Sequence, residues 1–103
     1  MSYEYYIRPT IEEESGAFWR DMRERALVSS CFVREDGNAL LLRAPDSSSD
    51  WEYDIRLFAP PQLLLEISSW NDTIRIAIGE LLADLSRRYA FRIEDEDGVA
   101  LNL

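Results

Sequence analysis

The sequence predicts an α+β fold: a mostly antiparallel sheet of about five to six strands with two helices on one face. Three observations carry this. Residues 73–89 repeat apolar side chains at helical spacing, residues 51–57 alternate apolar and charged, and two apolar runs flank the turn sequence Glu35-Asp36-Gly37-Asn38. Short turns between successive strands favour antiparallel pairing, and two amphipathic helices need one sheet face to cover. The expected element order is β-α-β-β-β-β-α-β. A chain of 103 residues is the size of one domain, 1–103, and can bury a core without disulfides or a metal.

The first strand is residues 3–8, rich in aromatic and β-branched side chains, and Pro9 ends it. Thr10 and Glu13 have the spacing of a capping box, and Glu12, Glu13 and Glu14 complement the positive end of a helix dipole. Ile11, Phe18, Trp19, Met22 and Ala26 form the expected buried stripe of that helix, with Gly16 weakening its middle. Residues 28–34 and 39–43 form a hairpin around Asp36-Gly37, where the turn needs positive φ. Residues 44–50 are a polar loop. In the strand that follows, Trp51, Tyr53, Ile55 and Leu57 share one face, and Glu52, Asp54 and Arg56 share the other, wet face. Tyr53 is expected in the core. Pro60-Pro61 breaks this strand, and residues 63–67 form the next, with Glu66 toward solvent or an edge. Asn71 or Asp72 caps a second helix over 73–89, whose stripe is Ile74, Ile78, Leu81, Leu82, Leu85 and Tyr89. Arg87 and Arg88 fall in its last turn. Residues 91–93 and 99–103 suggest a closing strand pair around Glu94-Asp95-Glu96-Asp97-Gly98.

The chain carries 20 acidic residues against 11 basic ones, a net charge of -9. Every basic residue is arginine; there is no histidine and no lysine. All-arginine usage suggests GC-rich coding and a bacterial source. A basic face for DNA or RNA is not expected. Lack of histidine removes the usual general base and the commonest transition-metal ligand. Lack of lysine removes Schiff-base chemistry and a phosphate-binding lysine. Cys31 is alone in an apolar stretch, which reads as a buried thiol in a reducing compartment. The sequence begins without a basic-then-apolar leader and holds no apolar run near 18 residues, so a cytoplasmic protein with no membrane contact is expected.

No motif carries catalytic chemistry, and no enzyme activity, metal or cofactor is expected. Asp50, Glu52 and Asp54 share the acid spacing of a calcium loop, but Ile55 stands where glycine is needed and Pro61 where the closing glutamate belongs. The informative feature is uneven charge: residues 35–72 hold eight acids and two bases. Its plain reading is a solubilising surface. Its functional reading is a surface that steers a basic protein partner, with Asp46, Asp50, Trp51, Glu52 and Asp54 in one region and Glu94, Asp95, Glu96 and Asp97 in a second. In small size, strong negative charge and absence of catalytic equipment, the chain resembles the small acidic immunity proteins that neutralise bacterial toxins of contact-dependent inhibition and type VI secretion systems. The resemblance is one of overall character and carries no residue-by-residue correspondence. It implies a non-catalytic inhibitor whose partner is a cognate toxin, often a nuclease with a basic cleft. The alternatives are an acidic nucleic-acid mimic that inhibits a DNA-binding complex and a subunit or chaperone of a larger assembly. Oligomeric state and strand order are not legible at this level.

Overall fold

Strand and helix signals assemble into one open sheet in the computed structural model, which describes residues 3–101. The elements are β1 (Tyr3–Pro9), α1 (Ser15–Leu27), β2 (Phe32–Asp36), β3 (Ala39–Leu42), β4 (Ile55–Phe58), β5 (Leu64–Ile67), α2 (Asp72–Ser86) and β6 (Phe91–Glu94). The expected order of elements is therefore the observed one. All strand pairs are antiparallel, in the spatial order β2-β3-β4-β5-β1-β6. β2 to β5 form a meander, while β1 inserts between β5 and β6.

Both helices cover one face. Phe18, Met22 and Ala26 of α1 and Ile74, Ile78, Leu81, Leu82 and Leu85 of α2 pack on Leu40, Leu42, Ile55, Leu57, Leu65 and Ile67 of the sheet. The α2 stripe is the one its spacing predicts. Asn71 caps this helix: its Oδ1 accepts from the Ile74 N–H at 2.9 Å. Phe18 touches the rings of Tyr89 and Phe91 edge-on, at 5.4 and 5.0 Å, which ties α1 to β6. Truncating so buried a phenylalanine to alanine costs about 3–5 kcal/mol. Cys31 is buried, as expected.

Several local expectations are corrected. The Thr10–Glu13 capping box does not form. Thr10 N–H donates to the Ala90 carbonyl at 2.8 Å, continuing the β1–β6 ladder, so the chain first makes a 3-10 turn over Glu12–Glu14. Ile11 is consequently exposed, and Gly16 lies in the first turn of α1 rather than its middle. The hairpin turn is tighter than expected: Asp36 pairs with Ala39, leaving Gly37 and Asn38 as the loop, with Gly37 at φ 59°. Val28 lies outside β2 and is exposed. Helix α2 stops at Ser86, so Arg87 is its C-cap and Tyr89 packs on the core from beyond it. The segment after residue 98 makes a single bridge, Glu94 to Ala100, with Leu101 N–H donating to the Ile93 carbonyl at 3.0 Å. The outer end of the expected 99–103 strand, residues 102 and 103, lies outside the described residues.

Candidate functional site

The largest departure from simple alternation is at residues 43–54, and it creates the candidate site. β4 begins only at Ile55, because the preceding residues are drawn into a closed loop. Asp54, expected on the wet face, is completely buried. Its carboxylate accepts from Ala44 N–H at 2.8 Å, Ser47 Oγ at 2.7 Å and Asn71 Nδ2 at 3.1 Å. Its backbone carbonyl accepts from Ser68 and Ser69 N–H at 2.8 and 3.2 Å. One side chain thus binds both the start of the loop and the cap of α2. Arg43 closes the loop from the other side: its guanidinium donates to the carbonyls of Ser47 and Ser49, each at 3.0 Å, and to that of Trp51. The buried polar atoms of the loop are satisfied from within, which fixes its path. Asp46, Asp50, Trp51 and Glu52 are left on the outside, and the Trp51 indole is 57% exposed.

The second acidic region is a local turn. Asp95 Oδ1 accepts from the N–H groups of Asp97 and Val99, both at 2.9 Å, and Gly98 takes φ 82°. Glu96 and Asp97 are exposed, whereas Glu94 is held by Arg8 at 3.0 Å and by Arg92 at 4.0 Å. Beside this turn, Tyr3, Tyr5 and Tyr6 of β1 line a cleft of about 230 Å³ together with Glu4, Asp95, Glu96 and Asp97.

Register places both regions at one end of the sheet. Tyr3, Ile67, Ile55 and Leu42 form one cross-strand row. The 43–54 loop joins the Leu42 and Ile55 ends of that row. The 95–98 turn follows Glu94, which pairs with Tyr6 three residues from Tyr3. Exposed Asp72, the first residue of α2, lies at the same end. The three strand spacings from β4 to β6 separate the two regions by about 14 Å, at roughly 4.8 Å each. The result is an acidic rim interrupted by aromatic rings.

The sheet face without helices is also built differently from expectation. Tyr53 is not in the helix-side core; its hydroxyl donates to Glu66 Oε1 at 3.1 Å, and burial, then this hydrogen bond, pushes its phenol up. Glu66 is buried rather than solvent-facing, held by Arg56 Nε and Nη2, both at 2.7 Å. The Arg56 guanidinium lies over the rings of Tyr53 at 4.6 Å and Phe58 at 5.2 Å. A third unexpected buried carboxylate is Asp21 of α1. The 2.6 Å hydrogen bond from the Tyr89 hydroxyl, then the charges of Arg88 and Arg20, hold it below the usual range against the opposing effect of burial.

Of the residues singled out by sequence, Asp46, Asp50, Trp51 and Glu52 share one exposed loop surface, and Asp95, Glu96 and Asp97 share the turn. Asp54 belongs inside the loop, and both Glu94 and Glu52 belong to ion pairs, Glu52 with Arg34 of β2. Sequence reasoning missed Arg43, Ser47 and Asn71 as loop fasteners and the three tyrosines beside the turn. Among the described residues, no three carboxylate or thiol side chains converge as a metal-ligand set, and no helix is long and apolar enough to cross a membrane. The chain matches no protein-family model, no curated protein and no solved structure.

Proposed function

We propose that the chain is a non-catalytic, protein-binding inhibitor of the immunity type, which neutralises a cognate bacterial toxin by laying its acidic rim over a basic surface. The observation that supports this best is Trp51: a largely exposed tryptophan on a loop fastened by Asp54 and Arg43, with Asp50 and Glu52 beside it in the chain and exposed Asp46 in the same loop. A loop already fixed in one shape loses little conformational freedom on binding. Exposed tryptophan is the residue type most enriched at the centres of protein interfaces, and surrounding carboxylates steer a basic partner into contact. An exposed indole within the acidic loop favours a protein partner over nucleic-acid mimicry, which calls for an unbroken run of carboxylates.

The test is co-expression of the tagged chain with the product of the adjacent gene. The expected result is a stoichiometric complex and rescue of growth from a toxic neighbour, with Trp51→Ala weakening the complex at least tenfold. A harmless neighbour that forms no complex refutes the proposal. The triple variant Asp46→Lys, Asp50→Lys, Glu52→Lys is expected to slow association by about tenfold or more and flatten its salt dependence. Asp54 is left out of that variant because reversing it would break the loop itself.

A further inference from the structure

We infer that the cleft between the first half of β1 and the 95–98 turn binds an arginine side chain carried on an extended peptide strand. This holds whether or not the chain is an inhibitor, and the site is separate from Trp51. The first observation is a gap in the sheet. β6 ends at Glu94, opposite Tyr6, and the chain then turns away, so no strand lies beside Tyr3, Glu4 and Tyr5 on that side. Ile7 N–H donates to Leu63, toward β5, and Thr10 N–H donates to Ala90, toward β6. Backbone groups alternate sides along a strand, so the even-numbered residues of β1 face β6. Tyr6 and Arg8 meet Glu94 and Arg92 there. The N–H and carbonyl of Glu4 therefore point into the gap, where an added strand can pair with them.

The second observation is what lines the gap. The rings of Tyr3, Tyr5 and Tyr6 share the cleft with Glu4, Glu96 and Asp97, and no arginine lines it. None of these carboxylates pairs with a described arginine. Elsewhere the molecule twice seats a guanidinium on a tyrosine ring beside a carboxylate. Arg8 lies 5.2 Å from the Tyr6 ring centre and 3.0 Å from Glu94. Arg56 lies 4.6 Å from the Tyr53 ring centre and 2.7 Å from Glu66. The cleft repeats the rings and the carboxylates of those pairs without their cation. Its acids do not converge as a metal-ligand set, which favours a broader cation. Its volume of about 230 Å³ lies below that of pockets for drug-sized ligands, about 300–1,000 Å³, and suits one side chain. A planar guanidinium stacks on rings and forks to carboxylates, which a lysine ammonium does not do.

The experiment titrates the full chain with acetyl-Thr-Val-Arg-Val-Thr-amide at about 0.15 M salt and follows backbone amide shifts by NMR. Saturable binding is expected, with shifts at Glu4, Tyr6 and residues 95–98. Replacing the peptide's arginine by lysine should weaken binding about threefold or more, and by neutral citrulline about tenfold or more. Arginine amide alone, which has no strand to add, should bind about tenfold more weakly than the peptide. Glu4→Pro removes the N–H that faces the gap and should weaken binding about fivefold beyond Glu4→Ala, with thermal unfolding showing that both are folded. Tyr3→Ala should weaken binding about threefold or more, and Trp51→Ala should leave it unchanged. Absence of saturation at about 10 mM peptide overturns the inference. So does equal binding of the citrulline peptide, or of arginine amide alone. Shifts confined to the 43–54 loop would show attraction to general acidity and overturn it too. None of these outcomes bears on whether the product of the adjacent gene forms a complex.

Discussion

The 43–54 loop and the 94–99 turn look alike in sequence, as acidic, polar connections between strands, yet they are held in different ways. The turn is closed by its own Asp95, whose carboxylate serves two N–H groups within four residues. The loop is closed by contacts longer in sequence: Asp54 reaches back across the loop to Ala44 and Ser47 and out of it to Asn71, and Arg43 gathers three of its carbonyls. The turn presents charge on a locally determined shape. The loop presents charge and an indole on a shape that also depends on the cap of α2. Equal acidity therefore does not mean equal preorganisation, and only the loop ties the candidate surface to a helix cap.

The strongest way to break this comparison is Asp54→Ala. It strands the buried Ala44 N–H and the partly buried Ser47 hydroxyl and frees the α2 cap partner, and should cost about 3 kcal/mol or more in urea unfolding. A loss under about 1 kcal/mol would mean the loop holds its shape without Asp54. Arg43→Ala comes next, at about 1–2 kcal/mol, with faster amide exchange at Ser49 and Trp51. Gly98→Ala forces an alanine into φ 82° and should cost about 1 kcal/mol, confined to the turn. Asp95→Ala, in an exposed setting, should cost about 0.5–1 kcal/mol and leave the loop amides unchanged. The smallest readout is a slope. Asp21 has its folded pKa lowered, so its stabilising contribution is present above the unfolded value near about 4 and is lost as pH falls through the folded one. Tyr89→Phe removes the main cause of that lowering and should flatten the acid limb of stability against pH. The Tyr89 phenol is raised by its bond to Asp21, so its own contribution holds below about pH 10 and is lost as pH rises beyond it.

These residues also mark where the sequence is readable. The α2 stripe from Ile74 to Leu85 and the positive φ of Gly37 depend on short-range spacing, and both are as their patterns predict, although the hairpin loop is tighter than expected. Asp54 is the opposite case. Its charge and its place in an alternating run put it in water, but donors 10 and 17 residues away meet it inside the fold. Glu66 likewise is buried because Arg56, on the neighbouring strand, faces it in register. Thr10 shows the converse: its local capping signal is outcompeted by strand pairing to Ala90. The candidate site was thus legible as exposed acids with Trp51 and illegible in its fasteners, whose partners are set by tertiary contact.

The position of β1 has a consequence for how the molecule is made. Its two neighbours, β5 and β6, are later in the chain, so β1 is synthesised well before either of its partners. During synthesis Tyr3, Tyr5 and Ile7 wait unpaired while the β2-to-β5 meander, built from contacts near in sequence, assembles without them. Loop-closure entropy makes such long-range pairing slow. A nascent chain of this protein therefore keeps an aromatic strand unpaired until β5, and on its other edge β6, has emerged, and that interval is when it is most open to aggregation or to capture by a chaperone.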